Sequence, residues 1–258
     1  MTASLLMEIA NGVAHLTINR PERLNAMDSH AHLALSEALD HCATDKAVHV
    51  LVLTGAGDRA FSVGRDLREL SQGEDPEIAA RWHSIRRLTD RHDYPKPIIA
   101  KVAGYALGGG FELALACDII IAAENAIFGL PEARRGLIPF AGGVHRLPRQ
   151  IPLKIAMGHL LTGRELNAAR AYELGLVNEV VPVEHLDKAV ASWTSDILAC
   201  APLSIRAIKE CVSDGLRLAL PEAMAATYPA EEMRQASRDS IEGPRAFAEK
   251  RAPVWTGA

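Results

Sequence analysis

The sequence predicts an α/β protein that ends in a helical tail. Three observations carry this expectation. Short apolar and β-branched runs, such as residues 48–54 and 119–122, alternate with stretches of helical periodicity. Glycine turns stand where strand-like runs end and helix-like runs begin, at Gly64 and at Gly108-Gly109-Gly110. From Val183 onward every periodic segment reads as helix.

Taken in order, residues 5–9 and 13–18 flank Asn11-Gly12, a two-residue hairpin signal. Residues 20–26 read as a loop. A helix is predicted from Asp28 to about Cys42, with Leu33, Leu35 and Leu39 in its apolar set. Residues 48–54 form a buried strand. A loop then leads into Phe61-Ser62-Val63-Gly64-Arg65-Asp66-Leu67, where Asp66 can cap a short helix. Residues 71–76 are polar and read as a mobile loop. A helix is expected over 77–90, with Ile78, Trp82, Ile85 and Leu88 at helical spacing. A strand over 97–102 feeds the glycine cluster, and a helix over 111–117 leaves it. Strands at 119–122 and 126–128 follow. Next come helices near 143–150, 152–161 and 167–174 and a last strand at 177–181. The tail is expected to break near Pro202, Pro221 and Gly243-Pro244. Its many apolar positions require a large packing partner, either the body of the chain or another subunit.

At 258 residues the chain can bury a sizeable core, and its 48% hydrophobic and 23% charged residues are ordinary for a globular protein. A net charge of −4 gives no field for nucleic acid, so anionic ligands must be held by local groups. Cys42, Cys117, Cys200 and Cys211 form no CxxC pair, which suits reduced thiols. No HExxH occurs, and no metal is expected. The N-terminus lacks a signal-like pattern, and no apolar run reaches 18 residues. A cytoplasmic protein without a membrane partner is the expectation.

Two acids carry the chemistry. Glu112 follows the three glycines, in the first turn of a helix with Phe111, Leu113 and Leu115 around it. By itself it reads as an acid that complements the helix dipole. Gly129-Leu130-Pro131-Glu132 repeats the arrangement, with Pro131 suited to the first position of a helix. Together Glu112 and Glu132 make a candidate acid/base pair. Two strand–glycine–helix turns, brought together by parallel strands, can also aim two backbone N–H groups at one point, as in an oxyanion hole. The competing motifs fail. Ser62 lacks the first glycine of GxSxG, GxxxxGK[ST] is absent, and the glycine cluster does not fit GxGxxG. What remains suits addition or elimination beside a carbonyl.

Residues 19–26, 60–67, 102–112 and 128–132, Gly136-Leu137-Ile138-Pro139 with Gly142-Gly143, and Thr162-Gly163-Arg164 resemble the crotonase (enoyl-CoA hydratase/isomerase) superfamily over nearly the whole chain. The resemblance implies an α/β crotonase-type (ClpP-like) spiral of ββα units with a helical C-terminal trimerisation region. Residues 1–195 would be the core with the CoA-thioester site, and 196–258 would build a homo-trimer or hexamer. It implies an acyl-CoA thioester substrate and a place in fatty acid metabolism. No separate cofactor is implied, since coenzyme A is part of the substrate. The thioester oxygen would sit between the backbone N–H groups of Arg65 and Gly109. Hydratases of the family carry both glutamates, and Glu112 and Glu132 fall on both positions. Reversible syn hydration of a trans-2-enoyl-CoA to a 3-hydroxyacyl-CoA is therefore implied. Glu132 is favoured as proton donor to Cα and Glu112 as the water-activating partner, with the two roles left open between them.

Arg23, Leu24, Ala26, Val63, Gly64, Asp66, Leu67 and Gly108 would line the CoA channel. Phe247 and Lys250 would reach the CoA of a neighbouring subunit, or else be a packed aromatic and a solvated lysine. The helix over 77–90 and the surroundings of Phe140 would shape the acyl pocket. The tail and core also resemble the carnitinyl-CoA dehydratases, which use the same acids on a substrate with a quaternary ammonium. Tyr94, Trp82 and Phe140 are the candidate aromatics for such a cation. Double-bond isomerisation and non-catalytic CoA-thioester binding are the other readings.

Overall fold

Two sheets share the chain, and its middle strands alternate between them. The computed structural model describes residues 3–72, 80 and 85–258. β1 (Leu5–Ala10) and β2 (Val13–Ile18) form an antiparallel hairpin. Its turn residues, Asn11 (φ 50°) and Gly12 (φ 83°), both lie in the left-handed region that a tight hairpin turn favours. Three ββ steps follow: β3 (Val50–Gly55) and β4 (Ala60–Ser62), β5 (Ile98–Val102) and β6 (Tyr105–Leu107), β7 (Ile119–Ala123) and β8 (Ile127–Gly129). The first strand of each step joins the sheet begun by the hairpin, and the second joins the other sheet. β9 (Leu166–Asn167) and β10 (Glu179–Val181) complete them. The larger sheet has the order β1-β2-β3-β5-β7-β10, parallel from β2 onward, and the smaller is β4-β6-β8-β9. This is the expected spiral of ββα-type units.

The central strands are apolar because both of their faces are covered. Leu51 and Leu53 of β3 enter the main core with Leu35 and Leu39 of α1 (Ser29–Thr44), together with Phe61, Ala106 and Phe128 of the smaller sheet. Val50 and Val52 point the other way, into a smaller core. Leu186 and Val190 of a helix that packs on the outer face complete that core. Asp28 caps α1 by accepting from the N–H of Ala31 (2.8 Å). Asp66 accepts from the N–H of Arg68 (3.1 Å) at the start of α2 (Leu67–Gln72), the capping role expected of it.

The remaining helices are α3 (Gly109–Ala116), α4 (Gly143–Gln150), α5 (Leu153–Thr162), α6 (Ala168–Glu173) and α7 (Leu186–Leu198), the helix on the outer face. The tail holds α8 (Pro202–Gly215), α9 (Leu220–Ala225), α10 (Pro229–Gln235) and α11 (Asp239–Ala248). Leu216, Met224, Ile241 and Phe247 are exposed along it. No helix among the described residues is long and apolar enough to cross a membrane.

Three expectations change. Ser71 belongs to α2 rather than to a loop, while residues 73–76 of that loop lie outside the described residues, as do Ile78 and Trp82. The helix expected to reach Asp90 does not. Arg87 is extended (φ −62°, ψ 157°), and a 3₁₀ turn, Leu88–Asp90, follows. The carbonyl of Arg86 accepts from Arg91 Nε (2.9 Å) and Ser36 Oγ (3.2 Å), bonds that tie it to the core. The breaks expected near Pro202 and Pro221 are present, and each proline stands in the first turn of the helix that follows, where no N–H is needed. Gly243-Pro244 lies inside α11, where Pro244 is the sixth residue and costs one bond, to the carbonyl of Ser240.

Candidate active site

α3 begins where β6 runs out at Gly108, so its first turn meets the switch between the two sheets. Close packing makes this possible. A Cβ on Gly110 would lie 2.0 Å from the carbonyl oxygen of Ser62, so only glycine lets α3 approach β4. Glu112 then projects from the first turn and is only 3% exposed. Its Oε1 accepts from the N–H of Gly143 (2.8 Å), the first residue of α4. That N–H has no partner within its own helix. Glu112 therefore does more than complement its own helix dipole, because it caps a second helix from inside a cavity. Burial is the main influence on its carboxyl and pushes the pKa up to about 7. The Gly143 N–H and Arg87 pull the other way, while the neighbouring Glu132 adds to the rise.

Glu132 arrives from the smaller sheet. It opens a 3₁₀ turn, Glu132–Arg135, preceded by Pro131. Pro131 is thus the residue before a four-residue turn, not the first residue of an α-helix. Burial raises the Glu132 pKa, against its own backbone N–H and Arg135. Its Oε2 is buried with no hydrogen-bond partner. A buried carboxylate oxygen left without a donor is costly unless something else binds there.

The two glycine turns converge as expected. Gly64 has φ +82°, and a Cβ on it would lie 2.6 Å from the Gly109 nitrogen. A Cβ on Gly109 would lie 3.6 Å from the Arg65 nitrogen. The backbone nitrogens of Arg65 and Gly109 are therefore neighbours, and Gly109 N–H is at the first position of α3, where no intrahelical acceptor exists.

All of these groups line one cavity of about 760 Å³. Arg23, Leu24, Ala26, Val63, Gly64, Arg65, Asp66, Leu67, Gly108, Gly109, Glu112 and Glu132 are brought together there. The 20–26 loop is held in place by the buried Asn25, whose Nδ2 donates to the carbonyls of Ala60 (2.6 Å) and Ala56 (3.0 Å). Leu24 and Asn25 adopt left-handed backbone (φ 51° and 55°) to make this turn. Burial works to raise the Asp66 pKa, but Arg20 at 2.9 Å and the Arg68 N–H outweigh it and hold the carboxyl below its ordinary value.

Phe247 and Lys250 do not line this cavity. Phe247 is exposed in the last helical turn of α11, and Lys250 follows just beyond it with φ 54°. Of the three candidate aromatics, Phe140 lines the cavity, Tyr94 is buried with its hydroxyl donating to Leu39 O (2.9 Å), and Trp82 lies outside the described residues. Arg87, from the 77–90 segment, and Leu137 and Ile138, beside Phe140, line the cavity, in the two regions expected to shape it. The sequence reading missed His32 and Arg135. His32 stands one turn after Asp28, which was a usable signal, and burial with Arg87 and Arg65 nearby pushes its pKa down to about 4.

A ββα spiral with one buried and one half-buried acid and two adjacent backbone nitrogens around one cavity defines the crotonase class of enzyme. The chain belongs to the enoyl-CoA hydratase/isomerase family, whose model matches residues 8–258. It is 40% identical to the carnitinyl-CoA dehydratase of Salmonella typhi, over the full length of both chains. Among solved structures it is similar to an enoyl-CoA hydratase from Mycobacterium tuberculosis (TM-score 0.89, 38% identity, 99% of this chain and 100% of that one). An enoyl-CoA hydratase from Bacillus anthracis is similarly close (TM-score 0.91, 35% identity, 99% and 100%).

Proposed function

We propose that this chain is a lyase that adds water reversibly, in the syn sense, across the double bond of a trans-2-enoyl-CoA. The observation that carries this reading is the pair of raised, cavity-facing carboxyls, Glu112 and Glu132, beside the Arg65 and Gly109 nitrogens. The thioester oxygen sits against the Arg65 and Gly109 N–H groups, which stabilise the enolate as charge develops on it. A water held between the glutamates attacks Cβ. The unpartnered Oε2 of Glu132 is the acceptor that such a water needs. Glu112, fixed by Gly143, serves as its water-activating partner, and Glu132 delivers the proton to Cα. The two carboxyls share their protons through the cycle. No cofactor beyond the substrate's own CoA enters. Arg23, Leu24, Ala26 and the segment 63–67 hold the CoA moiety, while Phe247 and Lys250 act toward a neighbouring subunit. Residues 1–195 make the core and 196–258 the oligomerisation region of a trimer or hexamer. A cytoplasmic role in fatty acid metabolism fits this chemistry.

The carnitinyl-CoA dehydratase relatives support a second reading with the same chemistry. The cavity speaks against a quaternary ammonium. Its charged lining is mixed, with Arg23, Arg65, Arg68, Arg87 and Arg135 beside Glu22, Asp66, Glu112 and Glu132, and Phe140 is the one Phe, Tyr or Trp among its described lining residues, so no aromatic cage is built for such a cation. We expect crotonyl-CoA to be preferred over crotonobetainyl-CoA by at least about tenfold in kcat/KM, or about 1.4 kcal/mol. Equal or reversed preference would transfer the assignment to the carnitinyl substrate.

The direct test follows the loss of the conjugated enoyl-thioester absorbance with crotonyl-CoA. Glu112→Gln and Glu132→Gln should each lower kcat by about 10²–10⁴, with circular dichroism unchanged. Near wild-type hydration by both variants would defeat the mechanism.

A further inference from the structure

A second cavity, of about 390 Å³, opens at the other ends of the strands. The substrate cavity lies beyond the C-terminal ends of β4, β6 and β8 of the smaller sheet. Here His49 and Pro97, which immediately precede β3 and β5 of the larger sheet, face Pro202 and Arg206 of the tail. Lys46, just past α1, and Lys96 complete its charged lining. No Asp or Glu is among its described lining residues.

The nearby carboxylates are engaged elsewhere. Asp45 accepts from the Ala47 N–H (2.8 Å) and faces His41 (3.5 Å). Asp118 is held by Lys209 (2.6 Å) and the Ile98 N–H (2.7 Å). Lys96 is buried and donates to the carbonyls of Cys42 (2.5 Å) and Asp45 (2.6 Å), so its position is fixed. Arg206 and His49 are half-buried, and their side chains have no hydrogen bond or ion pair among the described residues. Burial lowers the Lys96 and His49 pKa values, and Arg206 lowers both further, which places the three within range of mutual repulsion. The N-terminus of α8, a 14-residue helix, opens here as well, and Ala201 brings it no capping side chain.

We propose that this cavity binds a phosphate-bearing small anion. Arg206 supplies a planar donor fork suited to phosphate oxygens, Lys46 and Lys96 supply charge, and the α8 N-terminus adds its unpaired N–H groups. A dianion relieves the repulsion among the cations. It also bridges the core, through α1, β3 and β5, to the tail, through α8 and Trp255. Occupancy therefore holds the tail on the body of the chain.

The test is calorimetric titration of the full protein with inorganic phosphate at constant ionic strength. Adenosine monophosphate in a parallel titration distinguishes a phosphomonoester ligand from free phosphate. Saturable binding is expected, weakened about tenfold or more in Arg206→Gln and largely restored in Arg206→Lys, with crotonyl-CoA hydration unchanged in both. Phosphate should also raise the thermal midpoint of the wild type and not that of Arg206→Gln. The proposal is overturned if neither anion binds saturably, or if Arg206→Gln binds as the wild type does.

Discussion

Glu112 shows how one residue can trade stability for chemistry. Its folded pKa, about 7, stands above the ordinary 4.5 because burial disfavours the charged form. The sign of the stability effect follows. Between these two values the folded chain binds more protons than the unfolded one, so stability falls as pH rises through this window. Above pH 7 the full cost remains, on the order of 3 kcal/mol. Glu132 is shifted in the same direction and adds to the slope. Glu112→Gln keeps the acceptor for the Gly143 N–H and removes the charge. It should therefore be more stable than the wild type at pH 8 by a margin that shrinks at pH 5. Urea denaturation at the two pH values measures this, and an equal difference at both would show that the carboxylate carries no burial cost. A group held near pH 7 can both accept and return a proton at physiological pH, which is what a reversible hydration requires.

At the scale of elements, the site is made where strands change sheets. β4 and β6 are three residues long, and each hands the chain to a helix at a glycine turn. Gly110 is the critical contact. Gly110→Ala would drive a Cβ into the Ser62 carbonyl and push α3 off β4, moving Glu112 and Gly109 together. We expect a loss of at least about 2 kcal/mol in unfolding free energy and a fall in kcat with it. Unchanged stability and activity would mean that the α3–β4 contact does not set the site. Much of this was legible in the residues. The hairpin, the long parallel strands, the helix start at Asp28, Asp66 as a cap, and the convergence of Gly64 with the glycine cluster all carry local signals. β4 and β6 were not legible as strands, because three residues are too few for a period-two pattern. The end of the 77–90 segment was hidden for a different reason. The carbonyl of Arg86 answers to Ser36 and Arg91, partners that no local pattern encodes. The contact between Glu112 and Gly143, 31 positions apart, likewise exists only once α3 and α4 are packed.

Across the whole molecule, the spiral sets two different faces at the two ends of its strands. One end gathers glycine turns, acids and backbone donors. The other gathers lysines, His49 and Arg206 against the tail. The tail itself presents Leu216, Leu220, Met224 and Phe247 to solvent on the single chain. So much apolar surface on consecutive helices is unusual for a monomer and suits burial against further copies of the chain. An aspartate at an exposed apolar position would be tolerated in an isolated chain and would be costly in a dry interface. Leu220→Asp combined with Met224→Asp should therefore lower the sedimenting mass from an oligomer toward the monomer while helical content is retained. An identical mass for wild type and variant would locate the contact elsewhere on the chain. If Phe247 and Lys250 act toward a neighbour's CoA, the dissociated variant should also show a raised KM for crotonyl-CoA with a smaller change in kcat. Glu112, Glu132 and the Arg65 and Gly109 nitrogens line one cavity of a single chain, whereas these two tail residues would complete the binding of the CoA in another.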